Sequence, residues 1–575
     1  MSRPIQTLLP AMARYRWRYA TGGAALLAMI ILQQVTPRLT GGLFDRLKAG
    51  GASRTEIGQS LLLIIAAAAG AALCRYAWRM AAATAGRLLE RDLREAFFRH
   101  LTTLPAGFYQ RHPTGDLMAT ATNDLQAVRA VAGEEGLMTL ANASLTLVLT
   151  LVAMGSTIGP GLSAMALLPL PLLAGAATLV GRWVLLRSRA VQRAYGALAA
   201  VTQESVQGIR VVKGFCQEEA GERKFDRANR GYLERTLSMA RAQGLMEPTT
   251  RLLVGLAYVL ALIFPGRAVL RGEISLGAFV SLTMYIDMLV WPMTSMGSVV
   301  ATVQKGRAAF ERVQGILSVP PAQTASGDEP IRGEVRVRNL SFTYPGSHQP
   351  ALRDVSVALE PGHTLGIVGK TGSGKSTLVS LLVRLFDPPR GTVFIDGTDV
   401  LDLPLPALRQ SIAFVPQETF LFATTVRENI ALAPGQWTRE EVSDAARVAQ
   451  VEQEVLDTVV GERGLTLSGG QRQRIGLSRA VLKRSPILVL DDCLSAVDTR
   501  TAAQILDGLR PQTEERATIL VSHRVATVSG ADHIIVMEDG AIAEEGTHEG
   551  LLARQGRYWR MHRRQCLEEA LTEAR

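Results

Sequence analysis

The stretch Gly366-Ile-Val-Gly-Lys-Thr-Gly-Ser-Gly-Lys-Ser-Thr377 decides the fold of the second half of this chain. An apolar run with strand character, 364–368, leads into it, and a segment with apolar residues at helical spacing follows it. The spacing from Gly369 to Ser376 is G-x-x-x-x-G-K-S, in which glycines let backbone N–H groups wrap a polyphosphate at a helix N-terminus. We therefore predict a strand, a phosphate-binding loop and a helix, with Lys375 on the outer phosphates and Ser376 on Mg²⁺.

The length and composition of the chain indicate several domains and a membrane. With 575 residues, the chain is too long for one compact core. Apolar residues make up 47% of the chain and are concentrated in its first half. The formal net charge is +10, but the basic residues lie in particular loops between apolar runs, which membrane orientation explains better than nucleic-acid binding. The cysteines lack the spacing of a metal site or disulfide framework; they are Cys74, Cys216, Cys493 and Cys566.

The first half predicts a membrane domain of six helices. Apolar runs long enough to cross a bilayer occupy about 19–41, 57–83, 137–158, 162–186, 252–270 and 274–300. Arginine and lysine cluster in the two long connections, between the second and third runs and between the fourth and fifth. By the positive-inside rule, these connections and both termini are cytoplasmic, and the protein lies in the cell membrane.

Polar residues inside these runs are candidates for a substrate cavity, because such side chains are costly in hydrocarbon and usually face a bundle interior. The candidates are Gln33 and Gln34 in the first run and Asp287 in the sixth, and Trp291 is an aromatic residue in the same run. An interhelical pair between Asp287 and an arginine would serve equally well.

Each long connection is expected to form a helical hairpin that projects beyond the bilayer and carries a short helix at its tip. In the first tip, Gly115 helps to break one helix and Asp116 can cap a new one. The second tip covers 204–215 and includes Gly208 and Phe215. Such tips would suit contact with a cytosolic ATPase domain, and solvated loops are the alternative.

A stretch rich in Pro, Ala, Ser, Gly and Asp, 319–333, is predicted to be a linker between a membrane domain, 1–318, and a second domain, 334–575. The second domain begins with 335–344, which alternates apolar and polar residues as an edge strand would.

Further motifs in the second domain also end strands or begin helices. Ile487-Leu-Val-Leu-Asp491 is predicted to be a buried strand that ends in a carboxylate, and Gln417 follows another apolar strand. Leu467-Ser-Gly-Gly-Gln471 opens a helix and forms a second possible anion site. His523 follows one more buried strand, 519–521.

Together these motifs make the chain resemble an ATP-binding cassette (ABC) transporter half of the exporter fold. The resemblance covers essentially the whole chain, and the pairing of Leu467-Ser-Gly-Gly-Gln471 with the phosphate loop in one domain is highly specific. It implies a multi-domain membrane protein, with an all-α six-helix transmembrane domain followed by an α/β P-loop NTPase domain that binds nucleotide.

The resemblance also implies roles for individual residues, with ATP and Mg²⁺ as cofactors. The nucleotide-binding residues would be Tyr344, stacked on adenine, the Walker A residues Gly369, Gly372, Gly374, Lys375, Ser376 and Thr377, and the signature residues Ser468, Gly469, Gly470 and Gln471. The catalytic residues would be Asp491, Asp492, Gln417 of the Q-loop and the switch residue His523, and the metal ligands Ser376, Gln417 and Asp491. The family's coupling helices would correspond to the two tips, with Gly115, Asp116, Gly208 and Phe215.

Two chains are implied, because in this family each signature covers the ATP held by the other chain's Walker A motif. One position departs from the pattern: Asp492 stands where the family has a glutamate that polarises the attacking water. Aspartate is one methylene shorter, about 1.5 Å, and misplacement by about 1 Å can cost around 100-fold in rate. Because the signature is intact, we predict a heterodimer with a degenerate site on this chain and a competent site on a partner half-transporter. A homodimer with a slow Asp492 is the alternative.

The implied function is ATP-driven transport by alternating access, mostly export in this family, of a small molecule, a lipid or a peptide. Siderophore uptake by the same fold stays open, since no sequence feature decides the direction. An ATP-gated channel or regulator is a further alternative, although the intact tips, Gln417 and His523 favour a pump. A soluble ABC ATPase acting on nucleic acid or ribosomes does not agree with six spans in membrane lipid.

Overall fold

The computed structural model describes residues 10–50, 53–322, 330–461 and 467–573. The chain divides into two compact units. A helical unit contains Met1–Thr102 and Pro113–Pro320, and an α/β unit contains Thr103–His112 and Pro321–Arg575. Thr103–His112 therefore pack with the α/β unit, although the predicted boundary assigns them to the membrane domain. Residues 323–329, in the predicted linker, lie outside the described residues.

Helices make up the helical unit. The long ones are Arg16–Lys48, Arg54–Thr103, Thr139–Ile158, Leu170–Gln207, Glu218–Gly244, Met246–Leu270 and Leu276–Leu317. The shorter ones are Thr114–Ala119, Thr120–Asp124, Leu125–Ala132, Glu134–Met138, Pro160–Leu167 and Ile209–Gly214. Helix Arg54–Thr103 extends by its last residue into the α/β unit, which also holds the short helix Ala106–Arg111.

Five helical stretches are long and apolar enough to cross a membrane, among the residues that the structure describes. They are Arg16–Lys48, Arg54–Thr103, Thr114–Ile158, Glu218–Leu270 and Leu276–Leu317. The predicted fourth run, 162–186, falls on helices Pro160–Leu167 and Leu170–Gln207, which are not among the five. The count of six spans stays a prediction.

Apolar side chains and close backbone contacts hold the helical unit together. Tyr285 and Ile286 are fully buried in a cluster with Met154, and Leu26 and Ile30 are buried in another. The first and last long helices approach each other closely at two glycines. A Cβ on Gly277 would overlap the carbonyl oxygen of Gly41, so the approach requires a residue without a side chain.

Among the residues that the structure describes, the α/β unit contains ten strands in two sheets. They are β1 (Val335–Phe342), β2 (Leu352–Leu359), β3 (Thr364–Gly369), β4 (Val393–Ile395), β5 (Thr398–Asp399), β6 (Ile412–Val415), β7 (Ile487–Asp491), β8 (Ala517–Ser522), β9 (His533–Glu538) and β10 (Ala541–Gly546). The smaller sheet has the order β2-β1-β4-β5, and the larger sheet has the order β10-β9-β3-β8-β7-β6. The prediction of 335–344 as an edge strand is wrong, because β1 pairs on one side with β2 and on the other with β4. Its alternating pattern arises because only one face of that sheet is buried.

The larger sheet carries the parallel strands, which are buried as fully as their apolar sequences predict. All five residues of β7 and all six of β8 are buried, and β3 pairs in parallel with β8, β8 with β7 and β7 with β6. The helices of this unit, in addition to Ala106–Arg111, are Lys375–Leu382, Leu405–Ser411, Val426–Ile430, Arg439–Val448, Gln453–Val455, Gly469–Lys483, Thr499–Thr513, Val525–Val528, His548–Ala553 and Arg557–Glu573.

Candidate nucleotide-binding and catalytic site

The order of the parallel strands brings the predicted site residues to one edge of the larger sheet. The phosphate loop follows β3, His523 follows β8, Asp491 ends β7, and Gln417 lies two residues after β6. Neighbouring parallel strands run in the same direction, so their carboxyl ends meet at one edge, where α/β sheets bind ligands. Motifs that are more than 150 residues apart in the sequence therefore share one site.

The phosphate loop has a backbone that only glycine adopts readily. Gly374 has φ +98°, and a Cβ there would lie 2.7 Å from the carbonyl oxygen of Ala351. Gly372 has φ +83°, and Gly369 stands where a Cβ would meet the backbone of Met537. Helix Lys375–Leu382 begins directly after Gly374, so its free N–H groups point into the loop.

Lys375 is the cation of this loop. Its Nζ donates to the carbonyl oxygens of Gly369 and Lys370, both at 2.8 Å. Burial lowers the pKa of Lys375, while the carboxylates of Asp491 and Asp492 oppose that shift. A bound polyphosphate would act in the same direction as these carboxylates and favour the charged ammonium.

Ser376 and Asp491 form a possible magnesium site. The Ser376 hydroxyl donates to Asp491 Oδ1 at 3.1 Å, and Asp491 is only 4% exposed. Burial raises the pKa of the Asp491 carboxyl, although the Ser376 hydroxyl opposes this effect. A buried carboxylate next to a hydroxyl is an all-oxygen donor set, which fits Mg²⁺. Gln417 is exposed, and in the described part of the chain no hydrogen bond joins it to these two residues.

Asp492 and His523 are in direct contact. His523 Nδ1 lies 2.9 Å from Asp492 Oδ1 and 3.2 Å from Oδ2. The Asp492 N–H donates to the carbonyl oxygen of Val521 at 2.9 Å, so the segments after β7 and β8 leave the sheet side by side. Asp492 has φ +49°, in the left-handed region where aspartate is enriched among residues other than glycine.

The predicted adenine-stacking residue lies beside the phosphate-loop helix. The Tyr344 hydroxyl donates to Thr377 Oγ1 at 3.1 Å. Its ring packs edge-to-face on Phe342 and Phe386, with centroid distances of 5.1 and 5.0 Å. Phe386 also faces Gly107 of helix Ala106–Arg111, where a Cβ would lie 3.7 Å from the ring.

The signature residues begin a capped helix, as their sequence predicts. Ser468 is the N-cap of helix Gly469–Lys483, and Gly469 and Gly470 form its first turn. The Gln471 N–H donates to Ser468 Oγ at 3.2 Å, and the Ser468 N–H donates to Gln471 Oε1 at 2.9 Å. This capping box fixes the start of the helix, which presents its free N–H groups and dipole.

Sequence reasoning missed Gln473, which ties the signature helix to the segment after β7. Gln473 is 7% exposed; its Nε2 donates to Ser495 Oγ at 2.9 Å, and its Oε1 accepts from the Ala496 N–H at 3.0 Å. Nε2 also lies 3.4 Å from the carbonyl oxygen of Asp492. The available signal was a glutamine at helical spacing from the apolar residues Leu477 and Ala480, since a polar side chain on a buried face needs partners.

The predicted cavity residues separate into two groups. Gln33, Asp287 and Trp291 line a cavity of about 840 Å³ in the helical unit, together with Trp78 and the ion pair of Arg79 with Glu134, 2.7 Å apart. In the described part of the chain Asp287 forms no ion pair with an arginine.

The placement of Gln34 in this cavity is wrong. Gln34 is 7% exposed and donates from Nε2 to Thr150 Oγ1 at 2.9 Å, within a contact between two helices. Neighbours on a helix point about 100° apart, so Gln33 and Gln34 face different surroundings.

Both predicted tips carry short helices. Helix Thr114–Ala119 has Pro113 as its N-cap and Asp116 inside its first turn, with no side-chain cap, so the prediction that Asp116 caps it is wrong. Gly115 lies in the same helix, while Gly208 and Phe215 flank helix Ile209–Gly214, and Phe215 is 74% exposed. In the first connection, Thr103–His112 belong to the α/β unit, whereas Gly115 and Asp116 come just after this stretch and belong to the helical unit.

Comparisons with known proteins agree over both units. The family model for the ABC transporter transmembrane region matches residues 19–293, and the model for ABC transporter matches residues 352–495. A probable multidrug resistance ABC transporter ATP-binding/permease protein of Bacillus subtilis (strain 168) is 37% identical over 564 residues, 96% of each chain. A multidrug resistance-like ATP-binding protein of Escherichia coli (strain K12) is 38% identical over 571 residues, which cover 98% of this chain and 96% of that one.

Two further similarities concern a lipid flippase and a solved structure. An ATP-dependent lipid A-core flippase of Nitrosococcus oceani is 35% identical over 493 residues, 83% of this chain and 81% of that one. The structure of a bacterial Atm1-family ABC exporter with ATP bound is 27% identical and covers 97% of this chain and 99% of that one, with a TM-score of 0.79. The chain therefore belongs to the ABC transporter family, as an exporter-fold half-transporter whose helical transmembrane domain precedes an ATP-binding domain that drives transport with ATP.

Proposed function

We propose that this chain is one subunit of a heterodimeric ABC exporter, in which its own ATP site is degenerate and its signature completes a competent site on the partner. The observation that carries the proposal is that this chain has Asp492 in place of the glutamate but keeps an intact signature, Ser468-Gly-Gly-Gln471. A glutamate would extend about 1.5 Å farther from the same backbone, and a shortfall of about 1 Å can cost around 100-fold in rate. His523 lies against the Asp492 carboxylate, which agrees with a carboxylate that does not reach out to a water.

The exposed second tip supports a dimer. Phe215 is 74% exposed, Val211 is 62% exposed and Ile209 is 48% exposed, whereas Thr103–His112 of the first connection pack within this chain's α/β unit. Exposed apolar side chains clustered at one tip suit burial against another protein. A second subunit would supply that surface, and Gly208 and Phe215 would then belong to a coupling element between chains. Gly115 and Asp116 would have the corresponding role in the first connection.

In the proposed cycle, ATP binding closes two nucleotide-binding domains, and the movement passes through the tips to open the cavity outward. The phosphate-loop amides and Lys375 bind the phosphates, and Tyr344 packs on the adenine. Ser376, Asp491 and Gln417 would hold Mg²⁺, which neutralises phosphate charge. His523 holds the end of the polyphosphate, and hydrolysis at the partner's site resets the pair. The nucleotide-binding domain and both termini would face the cytoplasm.

The substrate class follows from the cavity and the relatives together. Several relatives are multidrug or lipid A-core transporters by name, and the cavity combines Met29, Trp78 and Trp291 with charged residues. We propose an amphipathic drug-like or lipid substrate that binds near Gln33 and Asp287 and leaves the cell membrane outward.

The decisive experiment compares two variants of this chain in the purified pair, after co-expression with a candidate partner half-transporter. Lys375→Ala removes the cation of this chain's own site, and Ser468→Arg blocks the signature that serves the partner's site. In the proposed heterodimer Lys375→Ala retains most of the ATP turnover, while Ser468→Arg abolishes it. Equal loss in both variants would show two equivalent sites and refute the asymmetry.

The lone chain supplies a second test. When it is purified alone, the wild-type chain is expected to hydrolyse ATP slowly. The Asp492→Glu chain is expected to hydrolyse ATP faster under the same conditions. An ordinary rate for the wild-type chain, unchanged by Asp492→Glu, would establish Asp492 as a working base in a homodimer.

A further inference from the structure

The loop that carries His523 is held by a side chain from a distant helix. Gln565, in helix Arg557–Glu573, accepts from the Val525 N–H through Oε1 at 2.7 Å and donates through Nε2 to the carbonyl oxygen of His523 at 2.8 Å. One amide thus binds the two backbone groups on either side of Arg524. Both distances are those of well-formed hydrogen bonds.

The segment that follows β7 also holds this loop, through the side chain of Arg524. The Arg524 N–H donates to Ser522 Oγ at 3.0 Å, and its guanidinium donates to the carbonyl oxygens of Ser495 and Val497, both at 3.3 Å. Val525 is fully buried. The backbone between β8 and helix Val525–Val528 is therefore fixed from two directions, by Gln565 and by the segment that follows Asp492.

The His523 ring has much less support of its own. Its side chain is 49% exposed, and among the described residues its ring nitrogen forms a hydrogen bond with Asp492. Because packing holds only about half of the ring, the direction of its Cα–Cβ bond depends on the backbone conformation. The hydrogen bond of Gln565 to the His523 carbonyl oxygen acts on that backbone directly.

We propose that Gln565 is a positioning residue for ATP hydrolysis at this chain's own site, where it holds the switch loop so that His523 reaches the terminal phosphate. This inference rests on the proposed role of His523 and adds a residue that lies outside every ATP-binding motif, 42 positions farther along the chain. Misplacement of the ring by about 1 Å would reduce turnover by about tenfold to 100-fold, because hydrolysis requires aligned groups.

The test separates positioning from packing with two substitutions at the same position. Gln565→Met keeps the length and most of the volume of the side chain but removes both hydrogen bonds, and Gln565→Ala removes both hydrogen bonds and the packing. Leu567→Ala, at a residue 57% exposed on the same helix, is the matched control. All three are made in the Asp492→Glu chain purified alone, in which the site of this chain is the one that hydrolyses ATP, and kcat, KM for ATP and thermal stability are measured on the full-length protein.

The positioning role predicts that Gln565→Met and Gln565→Ala lower kcat about tenfold or more and equally, with KM within about twofold, while Leu567→Ala changes neither. If Gln565→Ala lowers kcat but Gln565→Met leaves it unchanged, the effect is due to packing and the inference is overturned. In the His523→Ala background, Gln565→Met is expected to cause no further loss; full additivity would also overturn it. If His523→Ala itself leaves kcat unchanged, the proposed role of His523 fails, and the inference fails with it for that separate reason.

Discussion

The close approach of the first and last long helices predicts a large effect from one methyl group. A Cβ on Gly277 would overlap the carbonyl oxygen of Gly41 and lie 2.5 Å from Asp45 Oδ2. The two backbones would have to separate by roughly 1 Å to admit Gly277→Ala. That separation would break the 2.8 Å hydrogen bond from Ser281 Oγ to the carbonyl oxygen of Pro37. It would also strain the 2.7 Å hydrogen bond that the Gly277 N–H donates to Asp45 Oδ1.

The cost of this substitution combines two contributions. Overpacking costs about 1–3 kcal/mol, and a lost hydrogen bond adds about 1 kcal/mol, so we expect Gly277→Ala to destabilise the helical unit by about 2–4 kcal/mol. The assay is the thermal transition of the detergent-solubilised full-length protein, followed by loss of the monodisperse peak in size-exclusion chromatography.

The control lies in the same helix. A Cβ on Gly297 would meet no heavy atom within 4 Å, so Gly297→Ala is expected to leave the transition temperature unchanged or slightly raised. If Gly277→Ala melts with the wild type, the two helices do not approach at these glycines and the argument from steric overlap is wrong.

Three other substitutions or reactions test the ATP-binding domain. In the Asp492→Glu chain purified alone, Tyr344→Ala is expected to raise KM for ATP by about tenfold through loss of base stacking, while Tyr344→Phe retains the ring and most of the affinity; equal effects would contradict a stacking role. Gly476→Ala would place a Cβ 2.6 Å from Thr419 Cγ2, so it is expected to lower ATP turnover by displacing the segment after Gln417, and Thr419→Ala in the same chain should restore turnover. Burial raises the pKa of the Cys493 thiol to about 12, so at neutral pH iodoacetamide should modify the exposed Cys566 in the folded protein and reach Cys493 only after unfolding, as peptide mass spectrometry would show.

The sequence predicted best those parts of the site that short-range geometry determines. The strand, glycine-rich turn and helix around Lys375 need only local spacing, and the Ser468 capping box needs only residues three apart. The fold class was implied by the resemblance of these motifs to the ABC family, and the comparisons confirm it. Helix and strand types were therefore predictable wherever periodicity was strong.

The errors arose where direction or distant contacts decide. Gln33 and Gln34 are equivalent in composition, and only the rotation of their helix separates a cavity position from a buried contact with Thr150. The alternation of β1 shows that one face is buried but cannot show whether both edges are paired. Gln565 could not be inferred, because its hydrogen bonds join residues 40 and 42 positions apart and leave no spacing pattern.

The contacts of Gln473 and Gln565 affect how strongly an aspartate at position 492, in place of glutamate, should lower the rate of hydrolysis. Asp491 pairs with Val521 at the ends of β7 and β8, so the segments that carry Asp492 and His523 leave the sheet as neighbours. Gln473 then holds the first segment from the signature helix, and Gln565 holds the second from helix Arg557–Glu573.

A loop held in this way cannot move outward to compensate for a side chain that is one methylene short, so the length of the carboxylate should translate directly into rate. The hydrogen bonds of Gln473 also connect the signature helix to the segment that carries Asp492. If this helix covers the partner's ATP, as we propose, its displacement at the competent site would reach the degenerate site through Gln473. The slow site would then sense turnover at its neighbour without performing it.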